Sequence, residues 1–415
     1  MSETELESAI AAIWRIESPK VIAALARMLG GDVGRAEDLA QDAFVSALAQ
    51  WPDEGIPRNP GAWIMTAAKR RAIDAFRREK MLREKSSALQ LDASGGIEPD
   101  FAAAYEEIDD DLLRLMFVAC HPVISKEARV TLTLKLLGGL TTAEIARAFL
   151  STEPAIAQRI VRAKRTLSEA GVQFELPGAG ERRERLSSVL EVVYLIFNEG
   201  YSATSGEDVL RPELVEDAMR LGRMLAKLMP HEGEIHGLAA LMELQASRMA
   251  ARLGRDGEHV LLLDQDRSKW NRLLISRGLT ALERARVLGP LGPYGLQAAI
   301  AACHARATTA DETDWAAIAA LYDALGQLLP TPVVELNRAV AVGMAFGPQA
   351  GLQIVEPLRD EPSLRSYHLL PSVFGDFFFK LGRLEEARAE FERAAKMAQN
   401  ARDRELLLKR ANLCS

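Results

Sequence analysis

Apolar side chains recur along this chain at helical spacing, and no alternating strand pattern persists anywhere in it. Over long stretches every third or fourth position is apolar, which gives a helix one face to bury. Glycines, prolines and short polar runs separate these stretches, as they do between helices. The pattern therefore predicts an all-α protein.

Two short amphipathic helices are predicted within residues 141–165. Thr152 stands where an N-cap oxygen is needed, and Pro154 falls in the first turn of the second helix, where its missing N–H costs nothing. The apolar positions that we expect to face inward are Ala143, Ile145, Ala146, Phe149, Ile156, Ile160 and Ala163. The polar positions left outward on the second helix are Gln158, Arg159, Arg162, Lys164 and Arg165. Such a pair indicates a helix-turn-helix that contacts DNA, and a short Arg-rich surface hairpin is the plainer alternative.

A second pair of helices is predicted nearer the start of the chain, over residues 36–44 and 62–79. We expect Leu39 and Phe44 of the first to face inward, with Glu37 and the polar residues beside it outside. The second carries a basic face: between Lys69 and Lys85 there are eight basic residues against three acidic ones, although the whole chain has a net charge of −7. A positive stripe on an acidic chain indicates a nucleic-acid surface.

These blocks together resemble an extracytoplasmic-function (ECF) sigma factor of the sigma-70 class, over roughly residues 5–172. The resemblance implies that one block docks on core RNA polymerase through Asp38, Gln41, Asp42 and Phe44. It implies that the basic helix melts and reads the −10 promoter element through Trp63, Arg70, Arg71, Asp74 and Arg77. It implies that the helix-turn-helix binds the −35 element through Gln158, Arg159, Arg162 and Lys164.

The last helix departs from the family pattern. Ala155 and Ala157 stand where the family usually has Thr and Lys, and Pro154 replaces a common Gly. The −35 sequence of the family therefore does not carry over to this chain.

Breaks in the pattern predict the domain organisation. Residues 1–85 and 109–172 form two small sigma-type helical domains, and 86–108 form an acidic Ser/Gly/Pro-containing linker. After a polar run at 177–185, residues 186–415 form a large helical unit. Its last part has tetratricopeptide spacing, in Phe374, Gly375, Phe378, Gly382, Ala387, Phe391 and Ala394. Gly347, about one repeat earlier, marks a degenerate second copy. An irregular helical domain is the alternative to a repeat-like array.

The whole arrangement resembles the subgroup of ECF sigma factors that carries a long C-terminal extension, which is taken to regulate or support sigma activity. Three scattered cysteines, an acidic start and the lack of a long apolar run indicate a cytoplasmic protein without a membrane span. We expect contact of the extension with the sigma domains.

Metal and enzyme motifs are incomplete. His231 and His236 are five positions apart, whereas a zinc helix needs four. Asp264 and Asp266 begin a calcium-loop pattern that is not continued, so we expect them to pair with Arg267 or Arg272. Cys120-His121 is expected to be a core thiol and a helix end, and residues 198–203 either line a ligand pocket or cap a helix that ends at Phe197.

The sequence therefore predicts a transcription initiation factor that binds core RNA polymerase and promoter DNA, needs no cofactor and catalyses nothing. The alternative is a DNA-binding regulator whose extension is a small-molecule sensor or hydrolase.

Overall fold

The computed structural model describes residues 3–87, 108–149, 151–178, 180–201, 211–252, 254, 260–398 and 401–414. All regular structure within these ranges is helical, which confirms the predicted all-α class. None of the described helices combines the length and apolar character that crossing a membrane requires. Most of the predicted linker, residues 88–107, lies outside the described residues.

The chain divides into two compact units, residues 1–195 and 196–415. The helices that begin in the first unit are α1 (Glu3–Met28), α2 (Val33–Glu54), α3 (Pro60–Ser87), α4 (Ile108–Ala119), α5 (Lys126–Leu136), α6 (Thr142–Ala148), α7 (Glu153–Glu169) and α8 (Arg182–Tyr201). The two sigma-type domains predicted from the sequence thus lie in one compact unit.

Helix α1 joins these two domains, because it packs on α2 and α3 and also on α4. Its Arg27 Nε lies 2.9 Å from Asp111 Oδ2 of α4, and its Arg15 Nη2 lies 2.7 Å from Glu144 Oε1 of α6. The turn before α6 approaches α1 closely at Gly139, where φ is +69° and an added Cβ would lie 3.0 Å from the Arg15 Cα. Only glycine suits both the backbone conformation and the contact.

The unit boundary falls inside α8, and the first half of this helix is linked to α4 and α5 by side-chain hydrogen bonds and ion pairs. The Ser188 hydroxyl donates to the Cys120 carbonyl at 2.6 Å and accepts from Arg129 Nη1 at 2.5 Å. The Cys120 thiol is buried against the Thr133 hydroxyl at 3.3 Å, and burial raises its pKa to about 11. Cys120 is a core thiol just after α4, as predicted.

The second unit contains ten further helices in its described part. They are α9 (Pro212–Leu228), α10 (Gly233–Ala246), α11 (Arg272–Leu288), α12 (Pro293–Arg306), α13 (Trp315–Leu328), α14 (Pro332–Phe346), α15 (Pro348–Val355), α16 (Leu369–Lys380), α17 (Leu384–Met397) and α18 (Ala401–Asn412). Most of them pack on the next one along the chain, which is the contact pattern of a helical array.

The predicted tetratricopeptide pair is α16 and α17. Gly375 lies against the ring of Phe391, so closely that an added Cβ would be 2.7 Å from a ring carbon. Gly382 turns the chain between the helices with φ +75°. The Phe377 ring of α16 also packs on Gly343 of α14 and Gly351 of α15. The pair therefore stacks on the preceding helices, since one repeat cannot bury its own face.

Candidate nucleic-acid interface

The helix-turn-helix forms as the sequence predicts. The Thr152 hydroxyl accepts from the Ala155 N–H at 3.4 Å at the start of α7, and Pro154 lies in the first turn. Thr141 and Glu144 form a capping box at the start of α6. The residues that α7 buries are Ile156, Ile160, Ala163 and Leu167. This apolar stripe fixes which face of α7 is left for other partners.

Three of the four predicted −35 residues line one groove. Gln158, Arg159 and Arg162 border a groove of about 480 Å³ between α7 and the start of α5, where Ser125 forms part of the other wall. Gln158 and Arg162 are exposed, whereas Arg159 is half-buried and its Nη1 lies 3.4 Å from the Thr131 hydroxyl. The structure therefore brings together one amide and two guanidiniums, which are hydrogen-bond donors that suit base edges and phosphates.

Lys164, the fourth residue, lies on another side of α7. It is two positions beyond Arg162, or about 200° around the helix. Its Nζ is paired with Glu37 Oε2 of α2, and Lys135 of α5 lies 3.5 Å from the other oxygen. Glu37 is only 3% exposed. The expectations that Lys164 and Glu37 point outward are therefore wrong, because the two side chains pair with each other between α2 and α7.

The predicted polymerase-docking residues on α2 divide into two groups. Asp38 and Asp42 are exposed and lie one turn apart. Gln41 is half-buried and donates to Glu37 Oε1 at 2.6 Å. The half-buried Phe44 ring stacks on Trp14 of α1, with centroids 4.5 Å apart and planes at 29°. The open part of this surface is thus acidic, with an aromatic pair beside it.

The predicted −10 residues lie along α3. Arg70, Arg71, Asp74 and Arg77 are exposed, and Arg71 also donates to the Ser46 hydroxyl of α2. Trp63 is half-buried and meets Trp51 edge-on at 5.4 Å.

The basic face of α3 is narrower than the sequence suggested, because Lys69 is half-buried. Burial and then the nearby Arg27 charge lower the pKa of Lys69. The exposed part of the face still carries several guanidiniums for one carboxylate, and it can attract phosphate.

Glu37 and Trp14 are the residues of this region that the sequence argument missed. Glu37 occupies a position of the buried stripe of α2, four residues after Val33 and three before Ala40. That register was a usable signal, because a carboxylate within an apolar stripe requires a buried cationic partner. The aromatic partner of Phe44 had no comparable signal.

The incomplete metal motifs have other roles. Helix α10 begins at Gly233, between His231 and His236, and His236 Nε2 lies 3.0 Å from the Pro230 carbonyl. Glu234 accepts from the Tyr294 and Gly295 N–H groups at 2.9 and 3.0 Å, so it caps α12.

The expected pairing of Asp266 with an arginine is wrong. Asp266 accepts from the Ser268 N–H at 3.0 Å and lies 4.0 Å from Lys269, because it caps the short helical turn that follows it. Arg267 is buried and donates to two carbonyl oxygens at the end of α12. The helix predicted to end at Phe197 continues to Tyr201.

Comparisons with known proteins agree with this arrangement. Sigma-70 region 2 matches residues 14–81, and a family of unknown function (DUF6596) matches residues 185–286. The chain is 42% identical over 385 residues to the uncharacterized protein R00370 of Rhizobium meliloti (strain 1021), an alignment that covers 92% of this chain and 90% of that protein.

Two further relatives are described as sigma factors. The chain is 28% identical over 152 residues to the ECF RNA polymerase sigma factor SigK of Mycobacterium ulcerans (strain Agy99), covering 36% of this chain and 78% of that protein. It is 29% identical over 141 residues to the ECF RNA polymerase sigma factor BldN of Streptomyces coelicolor (strain ATCC BAA-471 / A3(2) / M145), covering 33% and 51%. No solved structure matches the chain.

Proposed function

Because the chain belongs to the ECF sigma factors of the sigma-70 class that carry a long C-terminal extension, we propose that it binds core RNA polymerase and directs it to specific promoters. The observation that carries this proposal is the match of Sigma-70 region 2 to residues 14–81. That segment contains both the acidic face of α2 and the basic face of α3. The proposed protein is a transcription initiation factor and not a catalyst.

We assign the three surfaces by their chemistry. The acidic face of α2, with Asp38 and Asp42, suits a basic helix of the polymerase, because carboxylates form charge-assisted hydrogen bonds with cationic partners. The guanidiniums of α3 suit the phosphates and bases of the −10 element. The groove beside Arg159 and Arg162 suits the −35 element, since arginine can bind guanine through two hydrogen bonds.

The two sigma-type domains are proposed to bind two separate segments of one promoter, the −10 and the −35 element. In this structure Lys164 of α7 is instead paired directly with Glu37 of α2. We therefore propose that the structure represents a closed form, and that the ionic cluster of Glu37, Lys135 and Lys164 (hereafter the α2–α7 clasp) opens when the promoter is bound.

We propose that the extension supports the sigma module through contact and not through chemistry. Its helical array supports this proposal, since stacked helices present faces that can hold another protein segment. The alternative is a DNA-binding regulator with a sensor or hydrolase extension. That alternative does not explain why the chain contains a Sigma-70 region 2 segment.

The direct test is co-elution of the purified chain with core RNA polymerase, followed by run-off transcription from its own promoter. We expect a stable complex and promoter-dependent transcripts that core polymerase alone does not make. DNA binding without a polymerase complex would contradict the proposal and favour the regulator.

A further inference from the structure

The second unit gathers three arginines around two aromatic rings. The Arg252 Cζ lies 4.0 Å from the ring centroid of Tyr201, and the Arg267 Cζ lies 5.0 Å from that of Trp270. Arg248 lies within reach of both rings, at 5.8 and 5.9 Å. Arg252 and Arg267 are each only 7% exposed. Much positive charge is therefore removed from water at one place in the unit.

None of the three guanidiniums forms an ion pair among the described residues, although the charge of Asp403 acts on Arg252 and that of Glu312 acts on Arg267. Arg248 Nη2 donates to the Tyr201 hydroxyl at 2.5 Å, and Arg252 donates to the Tyr201 carbonyl. Arg267 donates to two carbonyls at the end of α12 at 2.7 and 2.8 Å, and to a threonine hydroxyl. Neutral acceptors only partly compensate buried cations, so a bound anion would stabilise the cluster.

A cavity of about 190 Å³ opens beside the cluster, between α10, α12 and α13. Its lining contains both polar and apolar side chains. The polar lining includes Gln245, Arg248, Gln297 and His304, and the apolar lining includes Leu244 and Ile300. The cavity is smaller than the roughly 300–1,000 Å³ of pockets for drug-sized ligands, so it suits a molecule of few atoms.

Buried polar atoms of the cluster and of the cavity lining are left without partners. His304 Nδ1, Arg267 Nε and Trp270 Nε1 have no hydrogen-bond partner among the described residues. Of these residues His304 lines the cavity, whereas Arg267 and Trp270 belong to the neighbouring arginine cluster. Burial, together with the charges of Arg248 and Arg267, lowers the pKa of His304 to about 4. The imidazole is therefore neutral at pH 7 and can donate or accept a hydrogen bond. Buried polar atoms are satisfied in most native sites, so this concentration indicates a ligand.

We propose that this cavity binds a small organic anion, with its carboxylate against Arg248 and its apolar body against Leu244 and Ile300. A guanidinium and a carboxylate match in planar geometry and can share two hydrogen bonds. The amide of Gln245 and the imidazole of His304 are available to further polar atoms of the ligand, whereas Gln297 Nε2 already donates to the Pro293 carbonyl at 3.1 Å. This site does not depend on the proposed role of the chain in transcription.

The test is isothermal titration calorimetry of the full chain with acetate, butanoate and benzoate, and with neutral benzamide and inorganic phosphate as comparisons. We expect benzoate or butanoate to bind more tightly than acetate, because the apolar wall adds to the charge. Benzamide should bind at least tenfold more weakly than benzoate. Arg248→Gln should lower the affinity for benzoate at least tenfold, whereas Arg277→Gln, an exposed arginine on α11, should leave it unchanged.

A second variant separates ligand loss from misfolding of the cluster. Ala301→Leu fills the cavity that Ala301 lines and leaves Arg248 in place, so we expect folded protein that no longer binds benzoate. A bound carboxylate should also raise the pKa of His304 from its value of about 4, which NMR titration can follow. The proposal is overturned if no carboxylate binds in the millimolar range, if phosphate binds as tightly as benzoate, or if both variants bind benzoate like the parent chain.

Discussion

Neighbouring residues on α2 have opposite surroundings. Glu37 is 3% exposed and paired with lysines of α5 and α7, whereas Asp38 is open to solvent. Consecutive side chains on a helix point about 100° apart. A negative charge can therefore be buried in an ion pair at one position and be open to a partner protein at the next. The surface available to a partner is therefore set by Asp38 and Asp42.

These two carboxylates give the first prediction. Asp38→Ala with Asp42→Ala should weaken binding of core RNA polymerase roughly tenfold or more, since each hydrogen bond to a charged group contributes about 1.5–3 kcal/mol. Competition against a labelled sigma factor for core polymerase measures the effect. Asp53→Ala, an exposed acidic residue near the end of the same helix, is the matched control. Equal affinity of all three proteins would show that α2 is not the docking surface.

The second prediction separates base contact from phosphate contact at Arg162. Arg162→Ala should lose about 1–3 kcal/mol of discrimination at one −35 base pair and also weaken binding to every sequence. Arg162→Lys keeps the positive charge but not the two parallel hydrogen bonds, so discrimination should fall while binding to unrelated DNA is retained. Titrations of each protein against the promoter, single-base variants of it and unrelated DNA measure the base discrimination and the overall affinity. Unchanged base preference in both proteins would mean that Arg162 contacts only the backbone.

The third prediction concerns His304, whose pKa falls to about 4 because of burial and of the facing charges of Arg248 and Arg267. The unfolded chain binds a proton near pH 6.5, so the neutral folded histidine contributes stability above that pH and loses it as pH falls toward 4. At pH 5 the loss is about 2 kcal/mol, from about 1.36 kcal/mol per pH unit. The unfolding midpoint should therefore drop less between pH 7 and pH 5 in His304→Gln than in the parent chain. Equal falls would contradict the assignment.

At the scale of elements, the α2–α7 clasp adds an ionic contact between the two sigma-type domains, which α1 also joins. Glu37 accepts from Gln41 of its own helix and pairs with Lys135 and Lys164. This contact includes Lys164 of the helix proposed to bind the −35 element. Glu37 is also the residue directly before Asp38 of the proposed polymerase-docking surface. Opening the clasp would therefore free Lys164, which is predicted to bind the −35 element, and would at the same time change the surroundings of the proposed docking surface.

The fourth prediction follows from this clasp. Glu37→Gln keeps the shape of the side chain but leaves both lysines without their anion, and breaking a buried ion pair costs about 3–5 kcal/mol. We expect the closed form to lose population, so that the distance between spin labels placed at Gln50 of α2 and Ser168 of α7 lengthens. Binding to −35 DNA should strengthen as well.

Glu17→Gln is the control for the clasp variant, because Glu17 pairs with Lys20 within α1 and not between the domains. The control should keep the short distance between the labels. If Glu37→Gln keeps it as well, the clasp does not hold the closed form.

Local sequence signals were sufficient for the helical class and for several helix ends. Thr152 was predicted as an N-cap and Pro154 as a first-turn residue, and the glycines of the α16–α17 pair were predicted from their spacing to Phe391. These predictions succeeded because each depends on a few neighbouring residues or on one pair of helices. The lysine partners of Glu37 and the inward turn of Arg267 were not predicted, since both depend on which distant helices meet. The end of α8 was also missed, because Tyr201 is held by Arg248 and Arg252 from another part of the chain.

At the scale of the whole molecule, α8 decides where the chain can be divided. A cut at residue 185, suggested by the polar run before it, would remove Ser188 and Glu191, which are the partners of the buried Arg129. Leaving a buried guanidinium without partners destabilises the first unit. A truncated chain should therefore end after Tyr201, so that all of α8 is retained.

The fifth prediction uses that truncation to test the extension. If the extension supports initiation by contact, the chain that ends after Tyr201 should drive run-off transcription from its own promoter several-fold more slowly than the full chain. Circular dichroism should show that its helices remain, so that a lower rate reflects loss of the extension. A faster truncated chain would mean that the extension masks the promoter-binding helices, and an equal rate would leave it without a role in initiation. In the last case the anion-binding cavity would become the first place to look for the function of the extension, because it is argued from the second unit alone.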